Sequence, residues 1–428
     1  MMKLLLGLAL MTLCAVAHGK SYEGYQVFTI TPKSKAQLEQ MHEMMDQLDF
    51  WRTGPVGEPS QVMIPATDVE YVKEALEAAQ LEFEVHINNV QSLIDEETKA
   101  IMSREKATTL ATFDYNKYHS YQEIMDWVTN FRKAESSSAL FIQEINVATS
   151  YEGRQIKALK LTTGSGRLGA YTQGGIHARE WVSPATVINL LKKFVDAFKA
   201  GDSVATNFFN KFDWYVIPSL NVDGYHHTRP EASNTDRMWR KNRQPTYTSS
   251  CTGIDMNRNY GYKWGGDGSS GYPCYETYAG ESAYDAVELN QVTNWLLGLK
   301  NGGQQFKIHM DVHSYSQYWV YPYSYTYSSS AKVPDLADLE RVAKASVAKL
   351  TAVHGKSYQT MTSGDWYPAA GASEDFGYKI LGAKYSYTVE MRDTGYYGFE
   401  LPENQIQPCG EETYAGFREM FRQVLLEV

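Results

Sequence analysis

Three things are scarce in this chain. Cysteine occurs only 4 times in 428 residues, and one copy, Cys14, sits in the apolar N-terminal stretch. So few cysteines exclude a disulfide scaffold, and stability has to come from a hydrophobic core. Beyond residue 19 no apolar run approaches the roughly 20 residues that a bilayer-spanning helix needs. Basic charge is also short: 40 Lys and Arg face 50 Asp and Glu, a net of −10, and no basic stripe argues for nucleic acid. The acidic surplus is uneven, because residues 20–106 hold 8 basic against 16 acidic side chains.

Residues 1–19 read as a secretory signal. Lys3 supplies the positive start, Leu4 to Ala17 the apolar core, and Ala17-His18-Gly19 a small-x-small cleavage site. A secreted protein meets an oxidising environment. Cys251 and Cys274 bracket a Gly-, Tyr- and Ser-rich stretch and make a natural pair. Cys409 is then odd, either a free buried thiol or an intermolecular link.

Two units follow the signal. Residues 20 to about 100 alternate as a small α+β, ferredoxin-like domain, with strands at Tyr25–Ile30, Gln61–Ile64 and Phe83–Ile87 and helices at Ser34–Leu48 and Thr67–Ala79. Asp95–Lys106 is helical and charged, and its Lys99, Arg104 and Lys106 are expected to be exposed. Residues 20–106 thus suggest a removable prodomain and linker cut by a trypsin-like protease, against an ordinary interdomain linker. Residues 107–428 suit one large α/β unit. Strands are expected at Gln155–Leu161, Ala170–Gly174, Phe212–Ile217, Phe306–His313 and Lys384–Glu390. Ser183-Pro184 reads as the cap and first position of a helix ending at Gly201, with Val187, Leu191, Phe194 and Phe198 as its stripe. Further helices are expected at Ala283–Leu297, stopped by Gly298, and at Asp335–Ala352. Strands alternating with long helices predict a mixed, largely parallel sheet covered by helices, with the site at its carboxyl edge.

His177-Ala-Arg-Glu180, at the end of one of those strands, puts an imidazole and a carboxylate three positions apart. Such a pair can point the same way and provide two of the three protein ligands of a catalytic zinc. A third is needed. In Phe306–His313, Ile308, Met310 and Val312 alternate with His309, Asp311 and His313, so one face is apolar and the other polar. His313, at the strand end, is favoured over His309, although the pattern leaves both open.

The chain resembles a secreted zinc carboxypeptidase of the pancreatic A/B type, made as a zymogen. The matching motifs are His177-Ala-Arg-Glu180-Trp-Val-Ser-Pro, Arg237-Met-Trp-Arg240-Lys-Asn-Arg, Asp255-Met-Asn257-Arg258-Asn-Tyr, His313-Ser-Tyr315-Ser and Glu390-Met-Arg-Asp-Thr-Gly. The resemblance implies a carboxypeptidase-like fold, one zinc ion, and His177, Glu180 and His313 as its ligands. It implies Glu390 as general base and Arg240 as the stabiliser of the developing oxyanion. Arg258, with Asn257 and Tyr367, would grip the terminal carboxylate, a task that suits a guanidinium fork. Arg179, Arg237 and Tyr315 would form outer subsites, and Asp255 would fix the free N–H of His177. Protein C-termini would be the substrates, proteinaceous carboxypeptidase inhibitors the partners, and the monomer the working form, in the gut lumen.

The pocket for the leaving side chain decides specificity. The match places Glu374 at its floor, where A-type relatives have an apolar residue and B-type relatives aspartate. A buried carboxylate needs a cationic partner, so Lys or Arg is the expected C-terminal residue. An extra residue before Tyr385 allows a register shift that would put Asp375 there instead, and Ser324 stands where the family often has glycine. The rivals are an A-type enzyme taking aromatic or aliphatic residues, a zinc amidohydrolase of small acylated amino acids, and a catalytically dead binding relative.

Overall fold

The computed structural model describes residues 19–45, 48–107 and 109–428, so the expected signal segment lies outside the described residues apart from Gly19. The first unit runs β1 (Gln26–Ile30), α1 (Lys35–Met45), β2 (Asp49–Arg52), β3 (Ser60–Ile64), α2 (Val69–Ala78), β4 (Phe83–Ile87) and α3 (Val90–Met102). Its four strands form an antiparallel sheet in the order β2-β3-β1-β4, the βαββαβ pattern of a ferredoxin-like fold. Phe28, Ile30, Val62 and Ile64 bury one face of that sheet against Leu76 of α2 and Met41 of α1.

The second unit is built on eight strands. In chain order they are β5 (Phe141–Thr149), β6 (Gln155–Thr162), β7 (Leu168–Gly174), β8 (Phe212–Ile217), β9 (Phe306–Ser314), β10 (Tyr318–Tyr321), β11 (Gln359–Thr362) and β12 (Tyr385–Met391). They lie in the order β11-β10-β12-β9-β7-β8-β6-β5. The centre, β12-β9-β7-β8, is parallel, whereas β10 meets β12, and β6 meets β8 and β5, antiparallel. Helices α4 (Tyr121–Glu135), α5 (Val182–Lys199), α6 (Ser203–Lys211), α9 (Leu336–His354) and α12 (Ile406–Val424) contribute to the larger core, while α7 (Val222–Thr228) and α8 (Val287–Asn301) contribute to a second one. Two single-turn helices, α10 (Ser363–Trp366) and α11 (Ser373–Phe376), carry loops over the carboxyl edge.

Side-chain alternation sets the site. Ile308, Met310 and Val312 of β9, with Tyr387 and Val389 of β12, enter the core with Val187, Leu191 and Phe194 of α5. Each such side chain contributes about 1.5–3 kcal/mol by leaving water, which fixes which face of each strand turns inward. The opposite face then has to carry His309, Asp311 and His313, directly across from Ser386, Thr388 and Glu390.

Three local expectations are corrected. Ser183 does not cap α5, which starts at Val182. Its hydroxyl instead accepts the N–H of Gly175 at 2.8 Å and donates to the carbonyl of Val312, tying the loop after β7 to β9. Gly175 has φ +65° there, and a Cβ would lie 2.9 Å from the Pro184 ring. Gly298 does not end the next long helix. α8 begins later, at Val287, and runs through Gly298 to Asn301, because its neighbours Leu296 and Leu299 still pack on the second core. Arg104 is not an exposed linker residue: it pairs with Glu403 at 2.7 Å and donates to the carbonyl of Tyr118, only 19% of its side chain being accessible.

Cys251 and Cys274 are joined, with Cα atoms 5.1 Å apart. Cys409 is fully buried beside Thr186 and Met391, which removes the intermolecular alternative. No helix among the described residues is long and apolar enough to cross a membrane.

Candidate active site

The loop after β7, the end of β9 and the end of β12 meet at the carboxyl edge of the parallel strands. His177 and Glu180 share a turn closed by a 3.4 Å bond from the Glu180 N–H to the His177 carbonyl. His177 Nδ1 lies 2.7 Å from Glu180 Oε1, and His313 Nδ1 lies 3.2 Å from Glu180 Oε2. One ligand atom from each of the three lies within 4.8 Å of the others, and all three side chains are buried. Burial alone would raise the Glu180 carboxyl, but the two imidazoles hold it below its ordinary range. His313 makes no well-directed hydrogen bond through either ring nitrogen. An orphaned imidazole and a buried carboxylate facing a common point are a donor set that fits zinc.

His309, the other strand histidine, lies two residues back. Its Nδ1 faces the Ser386 hydroxyl at 3.3 Å and its ring sits by Tyr171 and Phe376. It is a core histidine, which burial keeps neutral by lowering its pKa to about 4.

Behind the histidines stand two carboxylates. His177 Nε2 is 3.2 Å from Asp255, whose other oxygen takes Arg240 at 2.8 Å through Nη2 and 3.2 Å through Nε. Burial opposes the charge on Asp255, yet Arg240 and His177 hold its carboxyl well below the usual range. The second is Asp311, 3.1 Å from His313 Nε2. The sequence reading placed Asp311 on the polar strand face without giving it a role, although a carboxylate two residues from a ligand on one strand necessarily shares its side.

Glu390 stands beside His313 across the β9–β12 register, with Oε2 unpartnered and burial raising its carboxyl to about 8. Arg258 is fixed by Nε to the Gly268 carbonyl at 2.7 Å and by Nη1 to the Asn257 carbonyl at 3.0 Å. Nη2 has no hydrogen-bond partner among the described residues, and the Tyr367 ring lies 5.8 Å from the guanidinium carbon. Glu390, Arg258 and Tyr367 line, with His177, Glu180 and Arg240, one cavity of about 730 Å³, whose other wall is Leu38 and His42 of α1 with Phe50 and Trp51 of β2.

The first unit occupies the outer groove. Asp49 binds Arg179 through both oxygens, at 2.5 and 2.9 Å. Glu97 of α3 accepts from Arg237 at 2.5 and 3.3 Å, and Gln61 accepts the Tyr315 hydroxyl at 2.8 Å. Trp51 packs edge-on against Phe399, itself against Tyr315. Thus Arg179, Arg237 and Tyr315 are each engaged by residues 20–106.

Glu374 and Asp375 separate clearly. Asp375 accepts the backbone N–H groups of Ser324 at 2.9 Å and Tyr325 at 3.1 Å. Glu374 is 2% exposed and accepts only the Thr388 hydroxyl, at 3.1 Å, among the side-chain bonds found.

Residues 124–416 match the zinc carboxypeptidase family and residues 28–97 the carboxypeptidase activation peptide. The chain belongs to the zinc carboxypeptidase family. It is therefore a metallo-exopeptidase that hydrolyses peptide bonds, with zinc as cofactor and an activation peptide in front. Carboxypeptidase A1 of Bos taurus is 38% identical over 420 residues, 96% of either chain. The crystal structure of thrombin-activatable fibrinolysis inhibitor is similar at 30% identity and a TM-score of 0.81, covering 95% of this carboxypeptidase and 100% of that chain. The bovine form of that protein, in complex with tick carboxypeptidase inhibitor, shares 33% identity at a TM-score of 0.65, over 73% of this chain and 99% of that one.

Proposed function

We propose that this carboxypeptidase is a zymogen that, once residues 20–106 are cut away, removes C-terminal Lys or Arg from peptides. The observation that carries the specificity is Glu374. It is buried, it has no Lys or Arg partner among the described residues, and through Thr388 it sits two positions down the strand from Glu390. A carboxylate so placed costs several kcal/mol unless a cation meets it, and the side chain of a bound basic residue is that cation. Asp375 is excluded from the same task because two backbone N–H groups already occupy it.

In this reading His177, Glu180 and His313 hold zinc, with Asp255 orienting His177. Bound zinc supplies Lewis-acid polarisation of the scissile carbonyl. Arg258, with Asn257 and Tyr367, takes the terminal carboxylate by its free Nη2 edge, which makes the reaction an exopeptidase one. Glu390 accepts a proton from the attacking water and passes it to the departing amine, and Arg240 faces the oxygen that gains charge. Arg179, Arg237 and Tyr315 line the outer groove. Secretion into the gut lumen, a monomeric state and capture by proteinaceous inhibitors belong to the same proposal, resting on residues 1–19 and on the likeness to an inhibitor-bound relative.

A second reading, removal of aromatic or aliphatic residues, is favoured by the identity to carboxypeptidase A1. One panel separates them: release of C-terminal Lys, Arg, Phe and Leu from otherwise identical peptides by trypsin-treated enzyme, with and without chelator. Lys and Arg should leave at least about tenfold faster than Phe, the equivalent of 1.4 kcal/mol. Glu374→Ile should reverse that order. Faster release of Phe by the native enzyme rejects the basic specificity in favour of the A-type reading.

A further inference from the structure

The two carboxylates behind the histidine ligands are not equivalent. Asp255 divides its charge between His177 and Arg240. Asp311 is fully buried, and no Lys or Arg among the described residues reaches it. Its polar contacts include His313 Nε2 at 3.1 Å and the neutral Gln173 amide, which donates to the same oxygen at 2.9 Å, with the Ser373 hydroxyl also favouring its charge. Gln173 is held in turn by the hydroxyls of Tyr171 at 2.9 Å and Tyr260 at 3.1 Å, both buried. Gln173 and Asp311 are register neighbours on β7 and β9, so the chain Tyr171–Gln173–Asp311–His313 runs across two rigid central strands. Asp311 Oδ1 and both His313 nitrogens are left without a well-directed hydrogen bond.

We propose that Asp311 is a positioning residue for the metal: it receives the Nε2 proton of His313, fixes Nδ1 as the ligand atom, and slows loss of zinc. An unpaired buried carboxylate is expensive, and an imidazole whose far nitrogen donates to it is a stronger ligand. Loss of the dication would leave Asp311 with Glu180 and Asp255, three buried carboxylates, against Arg240 and Arg258 as the nearby fixed positive charges. That imbalance opposes zinc release. Gln173 sets the carboxylate's angle and adds no charge of its own.

The test is the rate at which a chromogenic chelator strips zinc from the trypsin-treated holoenzyme, read alongside the melting temperature. Asp311→Asn keeps the shape and should release zinc about 10–100-fold faster. Gln173→Leu keeps the carboxylate, guards against a misfolded Asn variant, and should speed release by a smaller factor. A control, Val216→Ala, lies in the core away from the histidines and should melt earlier while releasing zinc at the native rate. Asp311→Asn releasing zinc no faster than that control overturns the proposal. So does unchanged release accompanied by altered preference among C-terminal residues, which would place Asp311 in the leaving-group pocket instead.

Discussion

Glu390→Gln lowers kcat by about 10²- to 10⁴-fold while zinc content and KM stay near native values. The substitution is nearly isosteric, and Glu390 contributes no ligand atom to the His177–Glu180–His313 set. What it removes is a carboxylate on the cavity wall beside His313 with an unpartnered oxygen, Oε2. An amide cannot take a proton from water, so the loss falls on the chemical step. The check is steady-state kinetics of the trypsin-treated variant together with metal analysis of the same sample. A fall in kcat of less than about tenfold would put the base elsewhere, because general acid–base catalysis typically contributes about 10²- to 10⁴-fold.

The second large effect concerns latency. Uncut protein should show about 1% or less of the activity reached after trypsin. Arg179 and Arg237, both buried, are each held by a half-buried carboxylate from the first unit, and about 1.4 kcal/mol per pair favours the closed form by roughly 100 to 1. Of the three candidate cuts, Lys99 lies inside α3 and Arg104 is tied to Glu403, whereas Lys106 is exposed in a stretch without regular structure. A protease needs an extended, accessible strand of chain. Lys106→Gln should therefore slow activation by trypsin at least about tenfold, while Arg104→Gln and Lys99→Gln leave its rate near native. N-terminal sequencing of the activated enzyme should give Ala107. Appearance of another N-terminus in the first active product rejects this assignment. Asp49→Ala combined with Glu97→Ala should raise the activity of the uncut chain without any cleavage.

Much of this was legible before the structure, where a strong period operated. β9 and β12 are the central examples: alternation of Ile308, Met310 and Val312 with His309, Asp311 and His313 fixed both the strand and its polar side. The ferredoxin-like unit was readable for the same reason, apart from β2, which has four residues and almost no period. β10 and β11 escaped notice likewise, since four-residue strands owe their place to neighbours. Ser183 misled because a serine before a proline looks like a helix cap; tertiary bonds to Gly175 and Val312 outweighed the local preference. The ion pairs between the two units left no local trace at all. Asp49 and Arg179 are 130 positions apart, Glu97 and Arg237 140, and nothing near either partner in sequence marks it. Burial of Arg104 depended on Glu403, 299 positions away.

The groove arginines have a double allegiance. Arg179 and Arg237 bind the first unit before cleavage and, on the proposed assignment, the peptide chain after it. A change at either one alters secrecy and grip together, so selection cannot adjust one trait there without disturbing the other. Asp49 and Glu97 carry no such burden, because they leave with the severed piece. Over generations, the timing of activation would be tuned on the discarded side of the contact, and the surface that meets the substrate would stay comparatively still.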